Sequence, residues 1–191
     1  MHAYYIFATK RVVKTIVVYR SKTGFTKKYA QWIAEELQAD VREYKRVTPE
    51  ELHCYDTIIF GGGLYVGGIN GLSSFREFLP YLRDRKIIVF ATGATPDRPE
   101  TTQELREMNF TKDQLEYMHF FYLRGGFDFS KLSLVDKFLM ILLKFKLRMK
   151  PASKRTADET GMLAVYSTPA DFTKKKYMDD LLELARQNEL Q

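Results

Sequence analysis

Apolar positions along this 191-residue chain alternate between two kinds of pattern. Short β-branched or apolar runs read as strands: "KTIVVYR" (14–20), "ADVREYK" (39–45), "YDTIIFGGG" (55–63), "KIIVFATG" (86–93) and "MHFFYLRGG" (118–126). Between them lie segments with helical spacing. In 24–38, Tyr29, Trp32, Ile33 and Leu37 recur on one face. Residues 72–83 are helical with Pro80 as a break or kink, and 97–109 are polar and helix-compatible. A last helix is expected from "TPAD": Thr168 as cap, Pro169 in the first position and Asp171 at the positive end of the dipole. Phe172, Tyr177, Leu181 and Leu184 then form a partial apolar stripe. Five alternations of this kind predict an α/β fold, a doubly wound five-stranded parallel sheet between helical layers. Ligands of such sheets bind beyond the carboxyl ends of the strands. Those ends are "RSKTGFT", "GGGLYVGG", "ATGATP" and "RGGFD", all rich in Gly, Ser or Thr.

One segment interrupts the alternation. Roughly 40 residues separate "YLRGG" from the last helix, too many for an ordinary loop. Within them "KLSLVDKFLMILLKFKLRMK" (131–150) reads as a helix. Leu134, Val135, Phe138, Leu142, Phe145 and Met149 mark one face, with Asp136, Lys137, Lys144 and Arg148 mostly on the other. The expected organisation is an N-terminal extension (1–13), then one domain (14–191) with a helical insertion at about 127–165, before the last helix.

Composition narrows the function. Hydrophobic residues make up 45% of the chain and aromatics 14%, enough for a full core. The net charge of +6 is concentrated: residues 144–155 hold six basic residues and no acidic one. Cys54 is the sole cysteine, so an intramolecular disulfide is excluded and a cytoplasmic setting is favoured. Cys54 reads as an inert thiol. His2, His53 and His119 are scattered and give no metal spacing. His119, inside an apolar strand, suits a core or strand-end position better than a catalytic base. Trp32, beside Tyr29 and Ile33, is expected to pack in the core. No catalytic side chain can be named.

The turn "SKTGFT" follows the first strand and opens a helix whose first N–H groups are unpaired. Ser21, Thr23 and Thr26 supply hydroxyls, Gly24 lets the backbone approach a ligand and Lys22 can add charge. Two readings stay open from the residues alone: a hydroxyl-capped helix start, or a cradle for a phosphate. Neither GxxxxGK[ST] nor GxGxxG is present.

"SKTGFT" resembles the [ST]-x-T-G-x-T pattern of flavodoxins, and the likeness in layout runs from Lys14 to Gln191. The resemblance implies a flavodoxin-like three-layer fold and FMN as cofactor. It implies that Ser21, Lys22, Thr23, Gly24, Phe25 and Thr26 wrap the phosphate, Phe25 replacing a common asparagine. It further implies that Gly62, Gly63, Leu64 and Tyr65 border the flavin ring, with Tyr65 stacked on it. Thr92, Gly93 and Ala94 form a third flavin loop by order along the chain.

"RGGFDFSKLSLVDKFLMILLKFKLRMK" is similar to text in the menaquinone-dependent protoporphyrinogen dehydrogenase group, where Asp136, Lys137, Phe138 and Leu139 fit the motif. That resemblance implies an FMN-dependent oxidoreductase moving reducing equivalents from a porphyrinogen-like hydrophobic substrate to a quinone. It also implies a peripheral place on the inner face of the cell membrane, with 131–155 on anionic lipid. The alternatives are a helix packed on the core with a solvated basic face, an electron-carrying flavodoxin, and a flavin-free domain that binds lipid or nucleic acid. The high pI of about 9.2 counts against the carrier, and the retained loop residues count against the flavin-free domain.

Overall fold

The protein, described by a computed structural model, is traced over residues 13–187 apart from Val66, 157–158, 162, 164–165 and 167–168. The expected extension at 1–13 therefore lies, but for Val13, outside the described residues, as does the expected cap Thr168.

Strands β1 (Thr15–Arg20), β2 (Asp40–Glu43), β3 (Thr57–Tyr65), β5 (Lys86–Gly93) and β6 (Met118–Arg124) form a parallel sheet in the order β2-β1-β3-β5-β6. The strand order reverses beside β1, so β1 and β3 part their following loops at a switch point. Period-two alternation splits the sheet into two buried faces. Ile16, Val18, Ile58, Phe60, Ile87 and Val89 face one core with Leu72 and Phe75. Val17, Ile59, Ile88 and Phe90 face the other, against Tyr29 and Ile33 of α1 (Phe25–Leu37) and Leu181 of α7 (Asp179–Arg186). Trp32 is partly buried at the edge of that second core, its ring edge-on to Tyr29.

Several local features depart from the sequence pattern. Gly61, Gly62 and Gly63 lie within β3, which runs on to Tyr65 before the chain turns back as a hairpin, and β4 (Gly68–Ile69) pairs antiparallel with Leu64 and Tyr65. The segment 72–83 is helical in α3 (Leu72–Arg76) alone; Pro80 then sits in a separate single turn, Leu79–Tyr81. Helix α2 spans Pro49–Leu52, and between β5 and β6 lie two helices, α4 (Pro99–Asn109) and α5 (Lys112–Tyr117). The second starts at a Thr111–Gln114 capping box that satisfies two N–H groups reciprocally. The last helix does not begin at "TPAD". Ala170–Asp171 forms strand β8, paired antiparallel with β7 (Gly126–Phe127). The Asp171 carboxylate accepts from Lys28 Nζ (2.8 Å) and from the Thr173 N–H (2.9 Å), so it closes a turn instead of capping a helix. Helix α6 (Leu134–Met149) therefore leaves and rejoins the sheet edge between the two strands of a small ladder.

Candidate functional site

The carboxyl ends of β1, β3 and β5 bring three loops together, and each is held by a different device. At the first, Gly24 takes a left-handed conformation (φ 98°), which favours glycine, and its N–H donates to Ser21 Oγ at 3.0 Å. Thr48, Thr111 and Ser133 cap α2, α5 and α6 with their side chains. Helix α1 has no side-chain cap and no acidic residue in its first turn among the described residues. Its leading N–H groups keep their donor capacity and positive dipole end for an anion. The cap reading of Ser21 thus resolves: its hydroxyl closes the turn and leaves the helix end open.

Thr26 is buried, and its Oγ1 lies 2.7 Å from Thr92 Oγ1. This bond joins the first and third loops. It uses one of the two hydroxyl protons, so the pair retains a donor. A Cβ at Gly63 would come within 3.3 Å of Thr26 Oγ1, which places the second loop against the same pair. Gly93 faces Leu64 and the Tyr122 hydroxyl, its carbonyl accepts from the Gly125 N–H at 2.7 Å, and Arg124 Nε donates to the Ala94 carbonyl at 3.3 Å. The third loop is thereby fixed from β6. Phe25 contributes backbone to the first loop, while its ring packs against Gly126 of β7.

Lys22 and Tyr65 meet over a residue from outside the sheet. The Lys22 ammonium lies 3.9 Å from the centre of the half-exposed Tyr65 ring and donates to Asp136 Oδ2 at 2.9 Å. Asp136, in the first turn of α6, is 3% exposed. The Tyr65 hydroxyl, first, and the Lys22 ammonium, second, hold the Asp136 carboxyl below the usual carboxylate range, and the same bond raises the Tyr65 phenol. A lowered native value stabilises the fold above the ordinary unfolded value of about 3.9 and is lost as pH falls through the native one. Followed by carbon NMR, the Asp136 carboxyl should titrate with a midpoint below about 3.9; a midpoint at or above that value would remove the latch as described.

Sequence reasoning passed over two residues of this region. Asp136 falls on the charged face of its helix and within the resembling motif, but neither gives it this latch; it points inward. Asn109, buried at the end of α4, receives the Ile69 N–H (3.0 Å) and donates to the Gly67 carbonyl (2.9 Å), clamping the glycine loop. An asparagine ending a polar helix carries no signal of that task. Cys54 and His119 are both exposed. Among the described residues no group of three His, Cys, Asp or Glu is placed to hold a metal.

The flavodoxin domain family model matches residues 16–156, most of the chain and all five parallel strands. The chain belongs to the flavodoxin domain family. FMN is the cofactor of this flavodoxin domain, and its phosphate would find unpaired N–H donors at the open N-terminus of α1. The uncharacterized protein MJ0298 of Methanocaldococcus jannaschii is 33% identical over 87 residues, 44% of this chain and 57% of that one. The match thus spans little more than half of that relative's length. Solved structures similar in part include an archaeal flavodoxin (23% identity, 58% of this chain and 85% of that one, TM-score 0.36). Another is flavodoxin 2 of Bacillus cereus (23% identity, 59% and 84%, TM-score 0.45).

Proposed function

We propose that this flavodoxin domain protein is an oxidoreductase that passes reducing equivalents from a hydrophobic, porphyrinogen-like substrate to a quinone. FMN, when bound, accepts and releases the electrons. The observation that carries the reading is the latch of α6 to the flavin loops. Asp136 joins the helix to Lys22 of the first loop and Tyr65 of the second, so an apolar, lysine-edged helix borders the cofactor site. A soluble docking partner would not need that apolar surface; a polycyclic substrate or a quinone would. The chain's part is positional: Tyr65 covers the site, Lys22 supplies charge, and the three loops fix the ring.

The purified protein should show the visible spectrum of an oxidised flavin, and extraction should yield FMN. Under anaerobic conditions protoporphyrinogen should reduce the bound flavin and a menaquinone analogue should reoxidise it within seconds. Exchange of electrons with protein partners alone, and none with either small molecule, would replace this reading with that of an electron carrier.

A further inference from the structure

Helix α6 is held the reverse way round from an ordinary surface helix. Its sheltered side carries Asp136 and Leu147, while Leu134, Phe138, Ile141, Leu142, Phe145 and Met149 face outward and are 51–84% exposed. These positions span an arc of roughly 100° on a 3.6-residue turn. The arc is bordered by cations on both sides, Lys137 and Arg148 along one edge and Lys146 along the other. The one acidic residue of the helix, Asp136, is turned away from it.

The exposure is built in. Ser133 caps the start and Asp136 ties the first turn to Lys22. The Tyr166 hydroxyl donates to the Met140 carbonyl at 2.8 Å. Arg155 donates to the Leu147 and Arg148 carbonyls, each at 2.9 Å, closing the C-terminal end. All these contacts grip the polar side and both ends, leaving the apolar arc exposed among the described residues.

We infer that α6 lies in the plane of an anionic lipid bilayer, apolar arc in the acyl boundary and flanking cations among the headgroups. Its 16 residues give a length of about 24 Å, and among the described residues no helix is long and apolar enough to cross a membrane. Charge complementarity selects the lipid. A second copy of α6 would offer no exposed acidic side chain to receive Lys137, Lys146 and Arg148, whereas anionic headgroups receive all three. Through Asp136 the bilayer contact is fixed to the flavin loops. The inference rests on this helix and not on the redox reading, so it stands or falls without turnover.

The full chain, loaded with FMN, should co-sediment with vesicles of phosphatidylglycerol and phosphatidylcholine at low salt. Binding should fall about tenfold or more on phosphatidylcholine alone and in 0.5 M salt. Phe138→Gln/Ile141→Gln/Phe145→Gln should lose vesicle binding while keeping its circular dichroism and flavin. Lys146→Glu/Arg148→Glu, which leaves the apolar arc intact, should lose binding to the anionic vesicles as well. Equal binding to neutral and anionic vesicles, no binding to either, or wild-type binding by both variants would overturn the proposal. So would a concentration-dependent dimer, abolished by the glutamine variant, in a chain that ignores vesicles.

Discussion

Gly61→Ala should destabilise the protein by about 3 kcal/mol, the upper part of the range for overpacking a core. In the sheet Gly61 of β3 pairs with Phe90 of β5, whose ring lies across the glycine. A Cβ there would sit 2.1 Å from Phe90 Cζ. Phe90 is fully buried among Tyr29, Ile59 and Leu123, so the ring has no free space to enter. Either the ring leaves its rotamer or the strands part. For a chain of this size the melting temperature should drop by roughly 10 °C. Gly61→Ala/Phe90→Leu should recover part of the loss, because the two sites share one volume. A single variant as stable as the wild type in thermal unfolding would disprove the packing described for β3 and β5.

Thr26→Val separates what the Thr26 hydroxyl does for the fold from what it does for FMN. The substitution keeps the volume and leaves Thr92 Oγ1 buried without its 2.7 Å partner, at a cost of about 1–3 kcal/mol. Adding Thr92→Val removes both polar groups and should restore most of that stability. FMN affinity should behave differently. It should fall about tenfold or more with Thr26→Val, as expected for losing a hydrogen bond to a charged group, and the double variant should not recover it. Titration of apoprotein by flavin fluorescence quenching reads the affinity, and denaturant unfolding reads the stability. If affinity and stability recover together in the double variant, the hydroxyl serves packing alone.

The sheet could be read from the chain because buried parallel strands leave a simple trace. "TIVVY", "TIIF" and "KIIVF" are apolar on both faces, and each becomes a central strand. The turn that opens the first loop was legible too, since Ser21 and Gly24 close it over a few residues, whereas the Thr26 bond to Thr92 was not. The misplacement of the last helix has a physical cause. "TPAD" is a good helix start by local chemistry, but Ala170 and Asp171 are engaged by β7 and Lys28. Those partners lie more than 40 residues away, beyond any local pattern. The orientation of α6 was hidden for the same reason. Periodicity finds an apolar stripe and cannot say which way it faces; Lys22 and Tyr65, far upstream, decide that by binding Asp136. Asn109 was invisible because its partners, Gly67 and Ile69, lie in a loop whose course the sequence leaves open.

Neither of the two cores flanking the sheet contains a residue of α6 among those described. Amino-acid changes along the outer arc of that helix are therefore nearly neutral for folding, whereas changes in β1, β3 or β5 are not. Such a chain can drift to a new outside partner by replacing a handful of side chains on one helix, with the cofactor loops and their scaffold inherited unchanged.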